Sequence, residues 1–550
     1  MNIPKWAGEP PVIPAESISS RLTCDILILG SGNAGVCAAR KAAELGADVV
    51  VMEKLSESNY KPLGCDTAYI NPKCYLEQGC EPIDPMEVLD EWQRRSYNRT
   101  DPALIRQYVT RSGECCDWIR SVVPPDELEE FSVYYGFPGG RDSAVMEVAG
   151  YKSFPGTISY RDFHNVLGNG ANNPAWPHIL GYSIRAAQEA GARWLWETEA
   201  VVLRQDDTGR VTGAVGSTSD GSYLEIKARK AVVLATGDYS SNEPMVYALN
   251  HEMRELAEIA GDDYESKMTR IGPLRNGIGH RMGIWAGGVM EPGPRAAVNP
   301  GNGLGAPMLP IGGNYPVFGS DGKRICNESL VVFGGPGHMM RRAPGERLCA
   351  ISDANWEENL RHQGYEHNMS SNTCPRENDM TRADMQNYTP GPEGFEVHGF
   401  MGYGLRTSRM IAADTLEELA DYLGYEGEAK EGLLREIAHY NEMCHQGKDT
   451  DWGRDPKLMN PIEKPPFYGV SRVTSYFRIS TGLVQLSGLM VNEHQQVRRR
   501  DGSLIGGLFA IGNCCGGRYA VQYPTPMAGN SIGIATTLGM VAGEYIASTQ

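Results

Sequence analysis

Gly30-Ser31-Gly32-Asn33-Ala34-Gly35 spaces its glycines as G-x-G-x-x-G, and a carboxylate, Glu53, follows about twenty residues later. That pattern suits a dinucleotide. Gly30 allows a tight turn, Gly32 lets the backbone approach a pyrophosphate, and Gly35 lets a helix pack closely on a strand. Backbone N–H groups at the start of the helix then face the phosphates, and Glu53 accepts from the ribose hydroxyls. Glycine is common in this chain, at 65 residues, so the string takes its meaning from its neighbours.

Those neighbours read as a β-α-β unit. Asp25-Ile26-Leu27-Ile28-Leu29 predicts a short buried strand that stops at Gly30. An Ala-rich stretch through Val36, Ala38, Ala39, Ala42, Ala43 and Leu45 predicts a helix ended by Gly46, and Asp48-Val49-Val50-Val51-Met52 predicts a second buried strand. Two parallel strands joined by a helix imply an α/β sheet. Ala231-Val232-Val233-Leu234-Ala235 is another dense apolar run, ending in Thr236-Gly237. Near the C-terminus, Gly507-Leu508-Phe509-Ala510-Ile511 predicts a strand, then a glycine-rich turn, then an Ala/Gly-rich helix from about Asn530. Between the ends, residues 85–200 read as mostly helical and 290–400 as largely irregular. Helical periodicity returns at 415–420 and 433–440. Arg498-Arg499-Arg500 before Asp501-Gly502 predicts a solvated hairpin turn. A nucleotide-binding domain interrupted by an insertion is the economical organisation.

The bulk numbers narrow the class. The 550 residues can bury large cores, and 41% hydrophobic against 22% charged residues implies an ordinary folded protein. Fifty-one basic and 68 acidic side chains give a net charge of −17, which argues against nucleic acid and against an anionic membrane face. The 13 cysteines contain no C-x-x-C pair, so zinc, haem c and iron–sulfur clusters lack a signature, and buried free thiols in a reducing cytosol are expected. The Pro-rich opening reads as an extended arm, with no signal pattern and no transmembrane segment, which predicts a cytoplasmic protein.

NAD and FAD satisfy the fingerprint equally, and further strings separate them. Val233-Leu234-Ala235-Thr236-Gly237-Asp238 resembles the "LATGG" strand of the flavoprotein family that contains fumarate reductases, succinate dehydrogenase flavoprotein subunits and 3-ketosteroid dehydrogenases. Gly277-Ile278-Gly279 with Met282 and Ala286-Gly287-Gly288 resembles its "GDGI…MA…AGA" helix, with Asn276 in place of the usual Asp. Gly322-Lys323-Arg324-Ile325-Cys326-Asn327-Glu328 resembles "GKRFVNE", and Gly507 to Asn513 resembles "GLYAAGN". Gly447-Lys448-Asp449-Thr450-Asp451-Trp452-Gly453-Arg454, followed by Pro465-Pro466-Phe467-Tyr468, is similar to a further family stretch.

The resemblance implies a Rossmann-like FAD-binding domain interrupted by an α+β capping (catalytic) domain. The expected division is an arm at 1–20, the FAD-binding domain at 21–290 and 467–550, and the capping domain at 291–466. It implies flavin contacts from Lys54, Asp66, Thr67, Val201, Ala235, Thr236, Gly237, Asn276 and Gly277, and from Gly512, Asn513, Gly529, Asn530, Ser531 and Ile532. In covalent members a histidine in the second glycine-rich loop carries the FAD. Here Leu63-Gly64-Cys65-Asp66-Thr67-Ala68 has none, so non-covalent FAD is expected.

The resemblance also bears on the chemistry. Fumarate reductases place an Arg proton donor a few residues after "VNE", where this chain has Val332 or a close neighbour. They place another Arg before the final Gly-Gly-Asn, where this chain has Pro526-Met527-Ala528. Fumarate itself is therefore disfavoured. The 3-ketosteroid dehydrogenases carry Gly-Asn, a spacer and Tyr-Pro, matched here by Gly512-Asn513 and Tyr523-Pro524. That tyrosine implies a phenol polarising a conjugated ketone; a phenol is neutral at pH 7 and donates a hydrogen bond as enolate charge develops. Hydride then passes between flavin N5 and the β carbon. Tyr519, Arg518, Arg295 and Tyr315 are the proton-donor candidates, and a core tyrosine beside a turn proline is the plain alternative for Tyr523.

Three readings stay open: an enone or ketosteroid-like substrate, an unsaturated carboxylic acid clamped by Arg518 or Arg295, and an electron-transfer flavoprotein subunit. A separate electron donor or acceptor is implied, because no second Rossmann fingerprint offers a site to a nicotinamide.

Overall fold

Ile26, Leu27, Ile28 and Leu29 are buried on both strand faces, which only a central strand of a covered sheet allows. In the computed structural model they end β1 (Ile18–Leu29). The structure describes residues 3–60, 66–129, 147–148, 150–159, 175–260, 275–295, 297–298, 315–328, 346–356, 359, 382–400, 405–473, 484–524, 526–527 and 529–549. After β1 the chain makes α1 (Asn33–Glu44) and returns in β2 (Val49–Met52), parallel to β1 with Leu29 opposite Met52. There follow β3 (Asp66–Ala68), α2 (Pro85–Arg95), α3 (Pro102–Arg120), β4 (Thr157–Ser159), α4 (Ala175–Glu189), β5 (Arg193–Leu195), β6 (Thr198–Gln205), β7 (Val211–Thr218), β8 (Tyr223–Leu234) and α5 (Ile278–Trp285).

A second group comprises β9 (Val317–Phe318), β10 (Arg347–Ser352), β11 (Gly391–Phe400), β12 (Leu405–Ala413), α6 (Leu416–Tyr422), α7 (Gly427–Gln446) and β13 (Phe467–Val473). The chain then re-enters the first sheet with β14 (Gln496–Arg498) and β15 (Leu504–Ala510), and ends in α8 (Asn530–Thr549). The main sheet runs β14-β15-β8-β1-β2-β5, parallel except for β14, with the β6–β7 hairpin paired onto β8. The second sheet, β9-β10-β13-β12-β11, is antiparallel.

Two departures from the sequence reading stand out. Residues 85–200 contain β4 and β5 and the start of β6 as well as helices; Thr198, Ala200 and Val202 are buried alternately, a period-2 signal inside a stretch read as helical. The first strand is also longer than its apolar run, because its polar half pairs with β8 from Ile18 onward. The eleven cysteines among the described residues are free thiols, nine of them buried. Among the described residues no helix is long and apolar enough to cross a membrane.

α8 packs on α1 through a glycine seam. A Cβ on Gly539 would stand 2.4 Å from the Ala34 carbonyl oxygen, and one on Gly543 would stand 2.4 Å from that of Ala38. Backbone meets backbone there, so neither neighbour can swing away.

The second sheet holds a buried charge cluster built from the 322–328 and 447–454 strings. Arg324 grips Glu328 with Nε (2.9 Å) and Nη2 (2.7 Å), and Nη2 also reaches Asp449 (2.9 Å). Arg454 Nη1 reaches Glu328 (3.2 Å), while its backbone N–H donates to Asp449 (3.0 Å). All four side chains are at most 1% exposed. Two cations face two anions, so desolvation is met within the cluster.

Gly543→Ala should destabilise the chain by about 1–3 kcal/mol in chemical denaturation, because the steric cost exceeds the roughly 1 kcal/mol gained in helix propensity. Asp449→Asn should cost about 3–5 kcal/mol by leaving Arg324 short of a buried counter-charge. At Asp449 burial pushes the carboxyl pKa up, but the Arg324 hydrogen bond and the Trp452 and Arg454 amides outweigh it and hold it below the ordinary value. The unfolded carboxyl therefore takes its proton first. This contribution should be complete above about pH 4 and fade as the pH falls through the folded value, a loss that acid unfolding of wild type against Asp449→Asn would read.

Candidate cofactor and active site

The G-x-G-x-x-G turn divides its glycines between two tasks. Gly30 has φ +103°, and a Cβ there would stand 2.5 Å from the Ala235 carbonyl oxygen. A Cβ on Gly35 would stand 2.1 Å from the Gly30 carbonyl oxygen. Both are glycine because the protein's own backbone presses on them. At Gly32 a Cβ would meet nothing within 4 Å. Its open side belongs to a cavity of about 190 Å³ lined by Gly30, Ser31, Gly32, Glu53, Lys54 and others. α1 starts just beyond, and Gly32 supplies no side-chain cap, so the first-turn N–H groups are left for a ligand.

Glu53, 8% exposed, accepts from the Ser31 N–H on one oxygen (2.9 Å) and the Leu55 N–H on the other (3.0 Å). Each oxygen keeps lone-pair capacity for sugar hydroxyls. Burial pulls the Lys54 ammonium pKa down, against the upward pull of Glu199 and Glu53. Ala235, Thr236, Gly237 and Asn276 also line the cavity. Asn276 donates to Glu199 (3.2 Å) and accepts from the Ile278 N–H (3.0 Å). Gly277 has φ +71°, and a Cβ there would strike Met245 Sδ at 2.5 Å. Val201 is next to lining residues on β6, at a bulge between Ala200 and Val202, without lining the cavity itself. Tyr60, Thr198 and Glu199 line it too and went unnoticed in the sequence, and Ile278 of the Gly277-Ile278-Gly279 string lines it as well. What brings Thr198 and Glu199 there is a contact outside the sheet order, the Thr198 N–H donated to the Glu53 carbonyl just past β2 (2.9 Å).

The C-terminal predictions converge from several elements. Gly512 has φ +56°, and a Cβ on it would stand 3.0 Å from Ala34 Cβ, which sets its turn against the start of α1. Thr67 is buried in β3, and the next residue, Ala68, donates its N–H to the Gly529 carbonyl (3.2 Å). A Cβ on Gly533 would stand 2.0 Å from the Ala68 oxygen, so β3 and the start of α8, Asn530, Ser531 and Ile532 included, lie together. Asp66 is the first residue of β3. The Asn513 carbonyl accepts from His280 Nε2 (3.1 Å), which fixes the proton on that nitrogen. Burial pushes the His280 pKa down to about 4, so it is neutral at pH 7.

The Tyr523 phenol oxygen accepts the backbone N–H of Ser531 (2.8 Å) in the first turn of α8. The Tyr519 ring is 5.5 Å away and fully buried. Burial raises the Tyr519 pKa, while Arg518 and the Ser531 side chain lower it. Arg518, 1% exposed, donates to the Cys515 carbonyl (3.0 Å), Asn513 Oδ1 (3.1 Å) and the Tyr519 hydroxyl (3.4 Å). Its fork is directed at its own loop. Arg295 lies one step off: it donates to the carbonyls of Leu249 (3.3 Å) and Glu291, and the Glu291 carboxylate accepts the N–H groups of Gly488 and Gly517, both at 2.8 Å. Burial raises the Glu291 pKa against the opposing pull of those amides and of both arginines.

Tyr315 is not brought to this group. Its hydroxyl donates to the Trp356 carbonyl (3.0 Å) in a second-sheet core with Met385, Val397, Met410 and Tyr468, where an apolar ring and one buried acceptor fill its needs. Val332, and Thr525 and Ala528 of the turn after Tyr523, lie outside the described residues.

A model of the FAD binding domain family matches residues 25–532. The vinyl phenol reductase of Lactiplantibacillus plantarum is 24% identical, over 95% of this chain and 96% of its own. The 4-oxocyclohexanecarboxylate 2-dehydrogenase of Sinomonas cyclohexanicum is 25% identical, over 96% of this chain and 93% of its own. Among solved structures, the 3-ketosteroid-Δ4-(5α)-dehydrogenase of Rhodococcus jostii, in complex with 4-androstene-3,17-dione, shares the fold with a TM-score of 0.64 and 20% identity, covering 97% of this chain and 99% of that one. With a fingerprint turn open on a cavity and a family match across almost its whole length, this chain belongs to the FAD binding domain family and is an FAD-dependent oxidoreductase.

Proposed function

We propose that this chain moves a hydride between the N5 of a non-covalently held FAD and a C=C or CH–CH bond conjugated to a carbonyl, with an enone or ketosteroid-like compound as substrate. Three features fit the cofactor: the open side of Gly32, the uncapped start of α1 and the carboxylate of Glu53. Gly30, Asn33, Ala34 and Gly35 shape its turn, with Lys54, Thr236, Gly237 and Asn276 around the cavity. The histidine-free loop before β3 supports non-covalent attachment.

The observation that carries the reading is the anchoring of Tyr523. Its oxygen accepts an N–H from the positive end of α8, which polarises the phenol and strengthens its O–H as a donor. A substrate carbonyl receiving that O–H is polarised as enolate charge builds on its oxygen. Tyr519 is the proton-donor candidate whose ring stands beside Tyr523, and burial raises its pKa against the pull of Arg518, which keeps the proton on the phenol. Tyr315 fits that role less well, since its hydroxyl serves the Trp356 carbonyl in the second-sheet core, and Arg295 turns two of its nitrogens to the Leu249 and Glu291 carbonyls. The Sinomonas relative's name carries a ketone and a carboxylate on one ring, which supports a ketone acid as a second substrate type, with Arg518, which reaches the Tyr519 hydroxyl (3.4 Å), as its cation. A separate electron donor or acceptor, protein or diffusible, completes the cycle.

Anaerobic protein with dithionite-reduced viologen should be reoxidised by cyclic enones; reoxidation by enoic acids alone would defeat the ketone assignment. Tyr523→Phe should retain FAD yet slow hydride transfer about 10²-fold, as for the loss of one oxyanion donor, in stopped-flow bleaching of the flavin band. Acid precipitation should leave the yellow chromophore in the supernatant; a coloured pellet would show covalent attachment.

A further inference from the structure

Ser31 sits between two glycines, so its peptide units are free to flip unless something outside the turn stops them. Each of its polar atoms has a partner, and each partner comes from a different place. The N–H donates to Glu53 at the end of β2 (2.9 Å). The side-chain oxygen accepts from Trp194 Nε1 on β5 (2.9 Å). The carbonyl accepts from the Tyr60 hydroxyl. Ser31 is fully buried, and the Tyr60 ring is braced at 5.3 Å by Trp196.

We infer that Tyr60 and Trp194 are positioning residues of the FAD site, acting through Ser31 to hold the pyrophosphate turn in its binding conformation. The Ser31–Gly32 peptide is trans and planar, so holding the Ser31 carbonyl on Tyr60 sends the Gly32 N–H the opposite way. Released, the unit could turn the negative end of its carbonyl toward a phosphate. Trp194 closes the second route, since rotation at Ser31 would strip its Oγ of a buried donor. Neither residue belongs to the fingerprint, and Trp194 does not line the cavity. The inference rests on FAD being the ligand of this cavity.

The test uses the full-length holoprotein. FAD release is followed on dilution by the recovery of flavin fluorescence, for wild type, Tyr60→Phe and Trp194→Phe. Phe keeps the Tyr60 ring against Trp196 and deletes only the hydroxyl. Each variant should release FAD about tenfold faster, the effect of about one hydrogen bond, while the flavin-free chains, each short of one buried hydrogen bond, still melt in a single cooperative step. Because both act on one residue, the double variant should fall short of the product of the two effects. Unchanged release in both variants would overturn the inference. So would faster release from variants whose flavin-free chains no longer melt cooperatively, which would make the two residues part of the fold alone. Wild type purified without FAD and unable to take it up would instead overturn the cofactor assignment.

Discussion

The seam between the first helix and the last is what the site depends on. Carbonyls of Ala34 and Ala38 lie where side chains of residues 539 and 543 would be, so two helices about 500 residues apart in sequence pack with their backbones nearly touching. The same closeness sets the Gly512 turn against Ala34 and the start of α8 against β3. The dinucleotide turn and the Tyr519–Tyr523 segment are thereby parts of one rigid assembly, although each end of the chain supplies only half of it. Ordinary side chains along the seam would push the halves apart by more than a hydrogen bond can span.

The second sheet is held by different means. Its charge cluster ties β9 and the loop after α7 together through ion pairs that see no solvent. Such a cluster adds little net stability over apolar packing of the same volume, but it penalises any arrangement that separates its members. The strings at 322–328 and 447–454 thus take their residue types from one another. Their family likeness reports a structural constraint, and none of the four charged side chains has a part in the proposed chemistry.

Much of this was legible in the chain. The β-α-β unit, the strands ending at Leu234 and Ala510 and the last helix follow from apolar runs that are buried on both faces and punctuated by glycine. Glu53 was legible because its distance from the fingerprint is set by one helix and one strand. The β6–β7 hairpin was not, since its alternation is mild and Ala- and Gly-rich, and its burial comes from β8. Tyr60 and Glu199 were illegible for another reason: nothing local distinguishes a tyrosine after a 3₁₀ turn or a glutamate in a half-exposed strand, and only tertiary contacts bring them to the cavity. Tyr315 shows the converse, a polar aromatic in a glycine-rich stretch that tertiary packing turns into core.

Gly32 is the one fingerprint glycine whose missing side chain the protein itself does not need. Ser31 beside it has a protein partner on every polar atom, so that residue needs nothing from the ligand. A methyl group at Gly32 would touch no protein atom, so its cost would fall on whatever occupies the cavity and not on the packing around it.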